Sequence, residues 1–410
     1  MSAASKIPPL RFKGFEGAWE AKRLERLVKK RNESAESGDV PKLEYEDVVS
    51  FEGVLKRSLD QLYVVKRGTS FYVGDVLYGK LRPYLGNWFL APFNGVAVGD
   101  WWVLKPDGID SECLYALIQT EAFQVAANQS TGSKMPRADW NLVSETLYSI
   151  PLTIGEQQKI GSTFRSLDAL IADRESAVEK LQTLKKAMLE KMFPRAGAKV
   201  PEVRFKGCEG EWKEKRLGDT FSMSVSTNTL SRACLTEEGT VRNVHYGDIL
   251  TKLKSVTNAN SEELPYVADN DFKTSTKNLL QDGDVVMADT AEDAMVGKVT
   301  EIQNVGCAQV VAGLHTVVLR PLDDFGAGYL GYYLNSDAFH LGLLRIMQGV
   351  KVLSINKSFL ADYSLLFPSL HEQRKIGAYF RSLDVLISAR QEEVGKLKDL
   401  KKGLLDRMFV

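Results

Sequence analysis

Residues 156–193 read EQQKIGSTFRSLDALIADRESAVEKLQTLKKAMLEKMF, and residues 372–409 read EQRKIGAYFRSLDVLISARQEEVGKLKDLKKGLLDRMF. The offset is 216 residues, and no other two segments of the chain are so alike. Thr153 and Ser369 stand three residues before Glu156 and Glu372. That spacing predicts a capping box at both starts, with the hydroxyl accepting from a first-turn amide and the carboxylate bonding back to the cap amide. Apolar residues then recur at sevens. Phe164, Ile171, Val178 and Met192 alternate with Leu167, Leu181 and Met188; in the second copy Phe380, Ile387, Val394 and Met408 alternate with Leu383, Leu397 and Leu404. Leu184, Leu189, Leu400 and Leu405 widen the stripe. Each copy thus predicts a helix of roughly 40 residues, about 60 Å long, with a coiled-coil seam.

A strip of that length is unfavourable in water, so the two strips are expected to bury each other. Pro194 to Pro201 (PRAGAKVP) stops the first helix and leads into a second compact region. Connectivity then favours an antiparallel pair. Arg174, Arg390, Lys185 and Lys401 interrupt the seam at matching positions. Either their aliphatic stems cover it while the charges reach solvent, or they set register or face acidic groups on another subunit.

Each helix follows a more divergent region with a similar opening. RFKGFEG at 11–17 and Trp19 match RFKGCEG at 204–210 and Trp212. Gly74-Asp75-Val76-Leu77 echoes Gly283-Asp284-Val285-Val286, and Val103-Leu104-Lys105-Pro106 echoes Val318-Leu319-Arg320-Pro321. These short apolar runs bounded by Gly, Asp or Pro predict strands. Residues 112–124 and 328–340 suit short helices. Both regions therefore read as mixed α/β, the second longer by about two dozen residues inserted early.

Composition bounds the function. With 410 residues the chain has room for two or three cored domains. Apolar runs are too short for a bilayer span. Cys113, Cys208, Cys234 and Cys307 form no CxxC framework, as expected of free thiols in the cytoplasm. Lys plus Arg and Asp plus Glu both number 53, a balance that disfavours a nonspecific nucleic-acid binder but not a specific reader. The histidines His245, His315, His340 and His371 lack metal-ligand spacing. Phosphate loop, dinucleotide fingerprint, nucleophile elbow and Asn-Pro-Pro-aromatic tetrapeptide are all missing. Pro106-Asp107 is not followed within about thirty residues by the Glu-x-Lys of a nuclease set. A non-catalytic recognition protein is the expected class.

The doubled opening and the doubled EQ-x-KI-x-x-x-F-R-S-L-D with its Leu/Lys-rich tail resemble the specificity subunit of a type I restriction-modification system, over the whole chain. Cys208, where the first copy has Phe15, is a modest departure. The resemblance implies an α/β (α+β) fold: two mixed target recognition domains joined by two long antiparallel coiled-coil helices, a pseudo-two-fold repeat. It maps as domain 1 at 1–150, spacer helix 151–193, linker 194–200, domain 2 at 201–366 and spacer helix 367–410. It also implies double-stranded DNA, two modification subunits and restriction/motor subunits as partners. S-adenosylmethionine would bind the modification subunit, with no cofactor in this chain.

Base edges are read by hydrogen-bonding side chains, so polar loops are the candidate DNA contacts. In the first region these are Gln129, Ser130, Thr131, Ser133, Lys134 and Arg137, together with Lys80, Arg82 and Tyr84. In the second they are Gln348, Lys351, Ser354, Asn356 and Lys357. Gly132 and Lys134 match Gly349 and Lys351, suggesting a shared phosphate contact beside differing base readers. Where the first region has Lys80, the second has an acidic run from Asp289, open to reading cytosine amino groups or to plain solvation. Trp88, Trp101 and Trp102 are expected in the core. A scaffold bridging two proteins through duplicated adaptor domains is the alternative, and a stand-alone methyltransferase or nuclease is a weaker one.

Overall fold

The computed structural model describes residues 7–129, 135–261, 263–268, 272–292, 295–343, 347 and 353–409. The chain forms two compact units, Met1–Ser176 with Gln391–Val410, and Ala177–Arg390. Both long helices are present, Ile154–Lys191 and Leu370–Met408. Each is divided between the units, so each unit holds the beginning of one helix and the end of the other.

In the first unit the strands Val28–Arg31, Trp101–Pro106, Val76–Gly79 and Trp88–Leu90 make an antiparallel sheet in that order. A second sheet orders Ser34–Glu36, Arg67–Phe71, Gly95–Ala97 and Lys42–Leu43, the last pair parallel. In the second unit a five-stranded sheet places Thr316–Pro321 and Val299–Gln303 on either side of Val285–Ala288. The apolar runs echoed in the sequence are paired neighbours: Val76 opposes Leu104, and Val285 opposes Leu319. Asp75 and Asp284, buried, accept from Arg31 and Arg320 and also cap the tight turns at Tyr72 and Gln281. The expected short helices are each two helices, Ser111–Leu117 with Glu121–Ala127, and Tyr329–Tyr333 with Asp337–Leu343. Thr120 and Ser336 make the breaks, each hydroxyl donating to a carbonyl three residues back. Trp88, Trp101 and Trp102 are buried, as expected.

The helix starts correct the capping-box expectation. Thr153 and Ser369 do accept from the amides of Glu156 and Glu372, at 3.4 Å each. The carboxylates turn the other way. Arg11 holds Glu156 through Nε and Nη2 at 2.6 and 2.8 Å, and Trp19 donates to it at 3.2 Å. Arg204 holds Glu372 through the same atoms at 2.8 and 2.7 Å. Each arginine also binds two carbonyls of its own opening turn, Gly17 and Glu16, or Gly210 and Glu209. A buried carboxylate gains more from a bidentate guanidinium than from one exposed amide, so the long-range pair displaces the local cap.

The residues that follow complete the same joint in both units. Gln157 accepts from the Asp110 amide and donates to Pro151; Gln373 accepts from the Gly326 amide and donates to Pro368. A Cβ on Gly161 would lie 2.6 Å from the Cys113 nitrogen, and one on Gly377 would lie 2.4 Å from the Ala327 oxygen. The doubled EQ-x-KIG is thus the docking face of each helix start on its unit.

The helix ends enter the cores. In the first unit Leu405, Met408 and Phe409 join Trp19 and Phe164, with Phe409 6.0 Å from Trp19. In the second, Met192 and Phe193 join Trp212 and Phe380, and Phe193 stacks on Tyr333 at 5.0 Å. Main-chain bonds seal both: the Leu10 amide to Arg407, and the Val203 amide to Lys191.

Within each unit the helix segments run antiparallel. In the first, Asp168 pairs with Lys401 at 2.6 Å, Glu175 with Lys398 at 2.6 Å and Arg174 with Glu393 at 3.0 Å. In the second, Asp384 pairs with Lys185 and accepts from Tyr332. The seam lysines therefore face acids, but on this chain's own other helix and at equivalent positions in both units. Phe164, Ile171, Phe380, Leu383 and Ile387 are buried, whereas Leu167, Val178, Leu181, Met188, Val394, Leu397 and Leu404 are half-buried. Leu184 and Leu400 are exposed and do not widen the seam. Met192 lies just past the helix end.

Two outcomes test this joint. Arg11→Met and Arg204→Met each strand a carboxylate that is 1% and 2% exposed, which costs about 3–5 kcal/mol. Denaturant midpoints should fall accordingly; losses under about 1 kcal/mol in both variants would refute the clamp. Burial holds the Asp168 carboxyl above its usual range, an effect Lys401 opposes. A raised folded pKa means the protonated form favours folding, so this group's stabilisation is present below pH about 4 and lost as pH rises. Lys401→Met should steepen that loss in melting temperature up to pH 8, and Asp168→Asn in the same background should flatten it.

Candidate nucleic-acid interface

The strand Val76–Gly79 leaves the sheet at Lys80 and enters a turn zipped to a distant segment. The Lys80 amide donates to the Asp100 carbonyl at 2.9 Å, and the Lys80 carbonyl accepts from Ala138 at 2.8 Å. The Arg82 amide donates to Pro136 at 2.7 Å, and Leu81 bridges Arg137. Tyr45 locks the corner: its hydroxyl donates to the Asp100 carbonyl and accepts from the Leu81 amide. Arg82 sits at φ +50°, which turns Pro83–Leu85 outward and leaves Tyr84 exposed.

These constraints gather charge. Arg137 reaches the Asp100 carboxylate at 3.1 Å and Lys80 at 3.5 Å. Burial would raise the Asp100 carboxyl, but Arg137 and Lys80 hold it below the usual range. Lys30, on the strand Val28–Arg31 that pairs with Trp101–Pro106, has its ammonium 4.7 Å from the Trp140 ring, and its pKa is lowered by burial and by Lys80. The fold thus brings Lys80 and Arg137 together and sets Arg82 and Tyr84 on the adjoining turn. Gln129 is exposed just after the helix Glu121–Ala127. Ser130, Thr131, Ser133 and Lys134 lie outside the described residues.

The second unit builds the same corner from other residues. The Asp289 amide donates to the His315 carbonyl at 3.1 Å, and the Asp289 carbonyl accepts from Ile355 at 2.9 Å. Thr290 opposes Ser354 in a two-strand ladder. Thr290 donates to the Asp289 carboxylate at 2.8 Å, and His315 Nδ1 lies 3.8 Å from it. Tyr246 packs edge-on against His315. Ser354 is exposed beside this corner, and Asn356 caps the helix Lys357–Asp362 by accepting from Ser358. Lys357 is exposed at that helix start, while Gln348 and Lys351 lie outside the described residues.

Asp100 and His315 were not among the candidates drawn from sequence. Each immediately precedes a strand, Trp101–Pro106 or Thr316–Pro321, so extending the strand echo by a few residues would have aligned them. A larger cleft of about 750 Å³ in the first unit is lined by Phe51, Trp88 and Ile171. Its charges are the mutual pairs of Asp168 with Lys401 and of Lys398 with Glu175 and Glu52, a structural rather than a reactive set. Among the described residues no His, Cys, Asp and Glu group could hold a metal ion, and no helix is long and apolar enough to cross a membrane. The cysteines are unpaired, with Cys113 buried.

Comparison with known proteins places this arrangement. Residues 209–396 match the family model of the type I restriction modification DNA specificity domain. The chain is 23% identical over 313 residues to the type I restriction enzyme MjaVIII specificity subunit of Methanocaldococcus jannaschii, covering 73% of this chain and 69% of that protein. It is 26% identical over 128 residues to the EcoDI specificity subunit of Escherichia coli, 30% and 28% of the respective lengths. The fold matches that of the type I restriction-modification S subunit from M. genitalium with a TM-score of 0.60 at 14% identity, over 99% of both chains. It also matches a chain from a structure of type I R-M complex assembly, with a TM-score of 0.55 at 21% identity, over 95% of this chain and 97% of that one. The chain is thus similar to type I restriction-modification specificity subunits: residues 209–396 match the DNA specificity domain, and the fold matches over nearly the whole length.

Proposed function

We propose that each unit reads one half of a split DNA sequence, and that the long helices set the distance between the halves as a molecular ruler. The reading domains correspond to residues 1–150 and 201–366, and the helices offer their outer faces to two modification subunits. Those subunits bind S-adenosylmethionine and methylate adenine, separate restriction/motor subunits cleave, and the complex works in the cytoplasm. One observation carries the reading: two corners with the same backbone bonds, Lys80 with Asp100 and Asp289 with His315, present different side chains on duplicated scaffolds. A scaffold for two proteins accounts for the doubled helices but gives no reason for equivalent corners of opposite charge. The even charge balance fits a complex in which partner subunits supply much of the phosphate contact.

Exchanging residues 201–366 for the corresponding part of a relative should replace one half-site and leave the other, read by mapping methylated adenines in cells carrying the full system. A change in both halves would refute the division of labour. Inserting four residues into both long helices adds about 6 Å, and should lengthen the tolerated gap by one or two base pairs. An unchanged gap would remove the ruler from the proposal.

A further inference from the structure

Strand registers make the equivalence of the two corners residue by residue. Gly79 opposes Trp101, and Ala288 opposes Thr316. The next residues out are therefore Lys80 and Asp100 in one unit, Asp289 and His315 in the other. Leu81 bridges Arg137 as Thr290 pairs with Ser354, so Arg137 and Ser354 are equivalent as well. Two main-chain bonds repeat across the two corners within 0.2 Å, at 2.9 and 2.8 Å in one and 3.1 and 2.9 Å in the other. The side chains are inverted: ammonium and guanidinium around one carboxylate, against a carboxylate flanked by a hydroxyl and an imidazole.

Resting on the bipartite reading above, we infer that this corner is a specificity position in both units, reading opposite hydrogen-bond polarity. Lys80 and Arg137 offer only donors, which suits the O6 and N7 acceptors of guanine. Asp289 offers an acceptor-only carboxylate with about four lone-pair sites, more than Thr290 and His315 occupy. That suits an exocyclic amino group, on cytosine N4 or adenine N6. Thr290 and His315 are positioning residues that fix the carboxylate. The groups stand half-exposed, Lys80 at 33% and Asp289 at 26%, so a base edge can reach them without unfolding the corner.

The test uses this chain assembled with its modification subunits, mapping methylated adenines genome-wide. Asp289→Ala should broaden one base position in the second half-site, with preference there falling about tenfold or more. Lys80→Ala should do the same at one position of the first half-site only. Asp289→Lys should move the altered position toward guanine, and the isosteric Asp289→Asn carries the test if the alanine variant melts early. An unchanged consensus with uniformly weaker methylation would overturn the inference, because it marks phosphate contact or plain solvation. Failure of the bipartite reading looks different: the unmutated complex would then lack a split motif.

Discussion

The buried glutamate at the start of each long helix is the constraint on which the rest depends. Glu156 and Glu372 sit almost wholly out of water, where a lone carboxylate is several kcal/mol unfavourable. Arg11 and Arg204 meet them in bidentate pairs, and the same guanidiniums gather carbonyls of the opening turn. One ion pair thus fixes three things: where the chain enters the unit, where the helix begins, and the direction in which that helix leaves. The joints differ in one atom's fate. Trp19 donates to Glu156, whereas the Trp212 indole nitrogen has no hydrogen-bond partner among the described residues.

The helix ends add a second dependence. The first unit's core includes Phe409, from the far end of the chain, and the second includes Phe193, which precedes its own opening phrase. Burying one such ring is worth about 1.5–3 kcal/mol, and Met408 and Met192 add to it. The first core is therefore closed by two separate stretches of the chain, the second by residues that precede its own opening phrase. The matching pairs of Asp168 with Lys401 and Asp384 with Lys185 then fix register within each unit. A hydrophobic seam alone tolerates sliding by a heptad; a half-buried charge that needs its partner does not.

How much of this was legible in the sequence depends on the range of the interaction. The long helices, the strands around Val76 and Leu104, and the buried tryptophans follow from periodicity and turn residues, which are local. The fate of Glu156 was not legible that way. Thr-x-x-Glu is a valid capping box by spacing, and only the fold brings Arg11 across 145 positions to compete for the carboxylate. Leu184 and Leu400 fit the stripe on a helical wheel yet are exposed, because the stripe is wider than the surface it meets. At the corner beside Asp100, charge and loop composition pointed to Lys80, Arg82 and Arg137. They did not point to Asp100 or His315, since a lone residue before a strand carries no motif until strand register aligns it.

The two kinds of site are under different physical pressure, and that difference explains which parts of the repeat stayed alike. At the joint, Gly161 and Gly377 have no room for a methyl group, and Gln157 and Gln373 satisfy buried main-chain groups on both sides. Most substitutions there create a clash or an unpaired polar atom, at about 1–3 kcal/mol each. At the corner the fold is held by main-chain bonds, which do not care which side chain is attached. Half-exposed side chains there change at a cost near ±0.5 kcal/mol. Stability therefore leaves the corner free to invert its charge between units, while it ties the joint to one solution used twice.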